Sequence, residues 1–161
     1  WNPRVYITST CASPLILGIA GASANGIITI SGSIDVADPK NADNPKVKEF
    51  KDYMVSKGFK SDGDFATAAA GWSTAEATVA ILAKAAEAGD LTRASIMDAA
   101  RSLDFTGMFA RPGVSLKTDG EKDGFALESF QVIQWNADSK TYAELGDVHT
   151  EFEGKTRVPK S

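Results

Sequence analysis

The amino-acid sequence predicts an α/β fold of parallel, Rossmann-like sheets with flanking helices, and three observations carry that prediction. Residues 5–31 read strand, loop, helix, strand. Residues 65–89 hold a long alanine-rich stretch with helical spacing, and beyond Phe105 the texture turns to short β-prone runs broken by Gly and Asp. With 161 residues the chain is long enough for one domain of common size, which removes roughly 70% of its unfolded surface from water. Its 43% hydrophobic and 24% charged residues lie near globular averages, so a packed core is expected.

Val5–Ile7 is a β-prone run that feeds the polar stretch Thr8-Ser9-Thr10-Cys11-Ala12-Ser13. Ser13 is suited to cap a helix and Pro14 to open one, because a short side-chain oxygen accepts an orphan amide and proline lacks one. The helix is expected from Pro14 to about Ala24, with Asn25-Gly26 as its stop. Ile27 to Ser31 then reads as a buried strand. Strand, helix and strand in this order form the crossover between parallel neighbours.

The following stretch, SIDVADPKNADNP, has almost no core-forming residues and reads as a connection. Asn44 caps a helix opening at Pro45, with Val47, Phe50 and Met54 on one face and Gly58 just past its end. The SDGD stretch supplies the next cap, from Asp62 or Asp64. From there Phe65, Ala68, Ala69, Trp72, Ala75, Val79, Leu82, Ala83 and Ala86 recur at helical spacing up to Gly89, a span of roughly 24 residues and 36 Å. Thr92 caps one more helix through about Leu103. Val114 to Leu116 is a short strand, Glu128 to Trp135 a longer one, NADSK a turn, and Thr141 to Leu145 the returning strand of a hairpin. From Asp147 onward the chain is polar and is expected to be mobile. The order α/β, then helical, then β fits a chain that crosses between two lobes, near Ser31 to Asp38 and again near Phe105 to Pro112.

Charge and composition exclude several functions. Seventeen basic and twenty-one acidic residues leave a net charge of −4, which provides no broad positive field for nucleic acid or an anionic bilayer. No apolar run approaches the roughly 20 residues of a membrane span. Cys11 and His149 stand alone in their types, so neither an intrachain disulfide nor a Cys/His zinc site is available. The segment Asp119, Glu121, Asp123, Gly124 has Phe130 where a calcium loop needs its bidentate glutamate, and reads as a solvated turn. The stretch GIAGASANG lacks the GxGxxG order and no P-loop lysine follows it. No metal or cofactor is expected.

The opening WNPRVYITST has neither a basic n-region nor an apolar h-region, so it is not itself a signal peptide. The series VYITST, SPLILGIAGASANGIITISG, VKEFKDYM, FATAAAGWSTAEATVAILAKAAEAGDLTRASIMDAARSLDF and FALESFQVIQWNADSKTYAEL resembles the type I periplasmic binding proteins. More narrowly, it is similar to the leucine/isoleucine/valine-binding branch of ABC-transporter substrate-binding proteins. The likeness runs from Val5 to about Leu145 and rests on the order of several loose motifs.

The resemblance implies a two-lobed receptor of which this chain is the C-terminal half, a partial type I periplasmic-binding-protein fold. On that reading residues 1–33 belong to the second lobe, 34–105 form a helical part of the first, 106–147 return to the second, and 148–161 are a polar tail. It further implies a non-enzymatic, extracytoplasmic component of an ABC importer, with a signal peptide upstream. Its expected partners are a small-molecule solute such as an amino acid, an ABC permease, and either the missing N-terminal part of the receptor or a second copy of the chain.

Thr8, Ser9 and Thr10 lie where a parallel strand ends, the place α/β folds give their ligands. Carried over by position, Ser9 falls where this branch often has the acidic residue that pairs with a ligand ammonium group. A serine cannot neutralise that charge, which leaves room for an uncharged or differently anchored solute. Thr67 and Ala68 fall on the hinge side of the cleft. Trp72, on the apolar stripe, is read as packing. Two rival readings stand beside this one: a sensory ligand-binding domain of the same fold, and an α/β enzyme using Cys11, whose base would have to be supplied from the distant His149.

Overall fold

The structure, a computed structural model, describes residues 3–120 and 122–156. In chain order its helices are α1 (Pro14–Ala20), α2 (Pro45–Ser56), α3 (Asp62–Glu87) and α4 (Arg93–Ala100). Its strands are β1 (Ile28–Ser31), β2 (Asp104–Phe105), β3 (Leu116–Lys117), β4 (Phe130–Asn136) and β5 (Thr141–His149).

The expected crossover is present. Ile28 donates its N–H to the carbonyl of Val5 at 2.9 Å, and Ile7 donates to the carbonyl of Ile28 at 3.0 Å, a parallel bridge centred on Tyr6 and Ile28. Between them α1 opens on Pro14, with the Ser13 side chain accepting the Ile16 N–H. The α winding stops at Ala20 rather than Ala24, because Gly21 has φ +59° and residues 21–24 continue as a tighter 3₁₀ turn. Parallel pairing ends with this crossover among the described residues: β4 joins β1 antiparallel, β5 joins β4 antiparallel, and the sheet order is β1-β4-β5. The β4–β5 hairpin turns on Asn136, whose side-chain oxygen accepts the N–H groups of Asp138 and Ser139 at 3.0 Å each.

One face of this sheet packs a core of Ala12, Leu17, Ala24, Ile133, Trp135 and Tyr142. The Tyr142 hydroxyl donates to the carbonyl of Ala12, which binds the hairpin to the loop before α1. A second core lies among the helices and holds Val36, Val47, Phe50, Met54, Phe65 and Phe109. Phe50 meets Trp72 and Phe109 edge-on, with centroids 5.5 and 5.0 Å apart, so Trp72 is a packing residue as its place on the stripe predicts. Burying each such side chain contributes about 1.5–3 kcal/mol.

Asn44 and Thr92 cap α2 and α4 as expected, accepting the N–H groups of Lys46 and Ser95. Helix α3 already begins at Asp62, and the cap assigned to the Asp62 or Asp64 side chain lies outside the described residues. The strand expected at Val114 to Leu116 is shifted to Leu116–Lys117 and pairs with β2, a two-residue strand too short to show any alternation in sequence.

Beyond β5 the fold differs from the expected loose tail. The strand continues to His149, opposite Phe130. Phe152 then stacks on Phe130 with centroids 5.7 Å apart and planes 9° from parallel. Glu128 accepts the N–H of Gly154 at 2.5 Å and of Thr156 at 3.0 Å. Two aromatic residues and one carboxylate are enough to hold a segment whose average composition is polar.

Two connections run side by side between the sheet and the helices. Ser33 and Ala110 form an antiparallel bridge, Ile34 donates to the carbonyl of Phe109 at 2.8 Å, and Arg111 donates to that of Gly32 at 3.0 Å. These are the two stretches singled out in the sequence as crossings.

Candidate functional site

Thr8 and Ser9 sit at the carboxyl end of the Val5–Ile7 segment, in a groove of about 500 Å³. Its other walls are Tyr6, Ile7, Ile28, Thr29, Ile30 and Val132. The groove exists because the sheet carries α1 on one face only, so Tyr6 and Ile30 on the strands stay exposed. Thr29 fixes the groove's base: its hydroxyl donates to the carbonyl of Ile7 at 2.9 Å and ties the two parallel segments together. No Asp, Glu, Lys, Arg or His lines the groove. Such a surface offers hydroxyl and apolar contact and cannot neutralise a charged group by itself.

The other predicted positions fall elsewhere. Thr10 is exposed in the 3₁₀ turn Ser9–Cys11 and lines neither this groove nor the second cleft described next. Thr67 is exposed on α3, with its hydroxyl turned back to the carbonyl of Gly63 at 3.2 Å. Ala68 packs against the helical core. The structure therefore brings Thr8 and Ser9 together and keeps Thr67 and Ala68 apart from their groove.

A smaller cleft of about 70 Å³ lies where the two connections meet α3, lined by Gly32, Ser33, Ser73, Phe105, Gly107, Ala110, Val114, Ser115, Leu116 and Leu127. Sequence reasoning located the connections but missed this cleft. The readable sign was the pair Gly32 and Gly107 on opposite connections: a Cβ at Gly32 would sit 3.1 Å from Leu127 Cδ1, and one at Gly107 would sit 3.5 Å from Glu76 Oε2.

An acidic trio, Asp123, Glu128 and Glu153, brings carboxylate oxygens within 4.8 Å of one another. Asp123 accepts the N–H of Phe125 at 2.9 Å, and Glu128 is held below the usual carboxylate range by hydrogen bonding from Thr156 and Gly154. Burial, with the neighbouring charge of Glu128, pushes Glu153 up. Of the turn weighed above as a calcium loop, Glu121 lies outside the described residues. Cys11 is exposed. His149 is bonded to Glu151 at 2.7 Å and lies against Phe130 and Phe152 at the far end of the hairpin.

A three-stranded antiparallel sheet whose first strand is bridged in parallel to the segment before α1, a helical body, and two adjacent connections between them make up an α/β fold. The profile of the periplasmic binding protein family matches residues 2–140, and the chain belongs to that family. Its fold is part of a type I periplasmic-binding-protein fold. A solved branched-chain amino acid ABC transporter protein from Thermus thermophilus, with bound valine, superposes with a TM-score of 0.67 at 13% identity, over 96% of this chain and 41% of that one. A structure described as an ABC transporter permease from the Pseudomonas fluorescens group gives a TM-score of 0.63 at 18% identity, over 89% of this chain and 36% of that one. The chain thus spans less than half the length of either structure. No curated protein matches it.

Proposed function

We propose that this chain is the C-terminal half of an extracytoplasmic, non-enzymatic receptor that captures an amino acid or similar small organic solute for an ABC importer. Residues 1–33 and 106–147 would form the second lobe, with 34–105 lending helices to the first. The observation that carries the reading is the groove at Thr8 and Ser9, placed at the carboxyl end of a segment bridged in parallel to β1, the side where α/β folds bind their ligands. Family membership and the valine held by the Thermus thermophilus protein support it.

In this reading Thr8 and Ser9 contact the solute from one side, whereas Thr10, Thr67 and Ala68, which stand off this groove, are assigned to the site by the resemblance alone. The remaining wall comes from the part of the receptor that has no counterpart here, or from a second copy of the chain. The solute bridges both walls, and closure is favoured by whatever contacts the closed form gains. An ABC permease then receives it. Because no carboxylate or basic side chain lines the groove, uncharged or amide-bearing solutes suit it better than a zwitterion anchored through its ammonium group. Calorimetry on the two-lobed receptor, against branched-chain amino acids, their amides and aromatic acids, should give heat with at least one class. No heat with any of them would overturn the proposal.

A further inference from the structure

Glu144, on β5, places a single carboxylate oxygen between two cations. Its Oε1 accepts from Arg111 Nη1 at 2.6 Å and from Lys40 Nζ at 3.1 Å. The three residues belong to three different parts of the chain. Arg111 stands in the second connection and donates its backbone N–H to the carbonyl of Gly32. Lys40 stands in the turn Pro39–Asn41, past the first connection and just before the helices. Asp38 fixes that turn: its Oδ1 accepts the Lys40 N–H at 2.9 Å and its Oδ2 lies 3.8 Å from Lys40 Nζ.

The two bonds are unequal in environment. The Arg111 side chain is only 7% exposed and its Nε has no hydrogen-bond partner among the described residues, so moving Glu144 away would leave a buried guanidinium without its carboxylate. That half of the cluster is fixed to the sheet. Lys40 and Glu144 are 46% and 45% exposed, and the lysine stem is flexible, so their bond can break into water at little cost.

We infer that Glu144 is a positioning residue, held to the sheet by Arg111, which through Lys40 sets the angle between the sheet part and the helical part. The inference rests on the two-lobe reading above. It assigns the Lys40–Glu144 bond the role of a strut that makes and breaks as the parts move.

The sole cysteine, Cys11, is exposed on the sheet side and gives one spin-label site. Glu49→Cys, at an exposed position of α2, gives the other. In the 161-residue chain carrying both labels, pulsed electron resonance reads the distance distribution between the parts. Lys40→Met is expected to shift the ratio of distance populations by about 2- to 5-fold, the range an exposed ion pair commands, with the melting temperature hardly changed. Glu144→Gln should shift the distances in the same way while lowering the melting temperature, because it also weakens the Arg111 pair, and the pair of changes should shift the distances no further. An unaltered distribution in Lys40→Met overturns the strut, even where Glu144→Gln fails to fold. Two glycines inserted after Ser33 separate the failures: if that loosened connection broadens the distances and Lys40→Met does not, only the strut falls. If neither broadens them, the two-lobe reading falls with it.

Discussion

Glu76, midway along α3, accepts the backbone N–H of Met108 through Oε2 at 3.0 Å, across 32 residues of sequence. This bond fastens the second connection to the long helix, beside the small cleft. Glu76→Ala leaves a partly buried amide without its acceptor and is expected to cost about 1–3 kcal/mol. Glu76→Gln keeps an acceptor oxygen and should recover most of that loss. Urea unfolding of the two variants distinguishes them, and equal midpoints would contradict the assigned role.

Gly32 occupies a tight position, where a side chain fits only if its neighbours give by a few tenths of an ångström. A Cβ there would meet Leu127 at 3.1 and 3.3 Å and Val114 at 3.4 Å. Gly32→Ala is expected to destabilise by about 1–3 kcal/mol through overpacking. Shortening Leu127 to Ala in the same chain should return part of the loss, which thermal unfolding of the single and double variants will show.

Glu153 should make stability depend on pH in the opposite sense to Glu144. Burial and Glu128 raise the Glu153 pKa, so its contribution is fully present below the unfolded value of 4.5 and is lost as pH rises through the folded one. Arg111 first, then Lys40, lower that of Glu144, whose contribution is present above 4.5 and is lost as pH falls through its folded value. Glu153→Gln is therefore expected to raise the melting temperature at pH 7 and to have no such effect near pH 4. Glu144→Gln should lower it at pH 7, with the difference fading in acid. A melting series from pH 3 to 7 checks both signs.

Phe152 holds the C-terminal segment by stacking on Phe130, while 44% of its own surface stays exposed. Phe152→Ala should cost about 0.5–1.5 kcal/mol. Brief proteolysis should then cleave after Lys155 faster than in the parent, with the β4–β5 hairpin intact. Unchanged cleavage would mean that the Glu128 bonds alone secure the segment.

Local chemistry made the helices legible. Ser13, Asn44 and Thr92 each cap the helix they precede, and Val47, Phe50 and Met54 are buried along one face as their spacing requires. The Val5-to-Ser31 crossover was legible for the same reason, since cap, proline and apolar runs follow each other directly. What stayed hidden depends on partners far away in sequence. Strand β2 exists only because Leu116 and Lys117 pair with it, and β5 runs on to His149 because Phe130 and Phe152 give its polar end something to pack against. The groove was half legible: its hydroxyls are contiguous, whereas Ile30 and Val132 reach it from strands that composition alone does not bring together. Thr67 and Ala68 were placed by resemblance, and nothing in their own spacing fixes which way α3 presents them.

The register of β1 on β4 pairs Ile28 with Gln134 and Ile30 with Val132, so the first complete strand to leave the ribosome must wait about a hundred residues for its neighbour. Closing so wide a loop is slow, in the millisecond-to-second regime of non-local topologies. Until then the edge of β1 that faces β4 stays open to wrong pairing. The chain's refolding should slow sharply when β4, rather than any helix, is weakened.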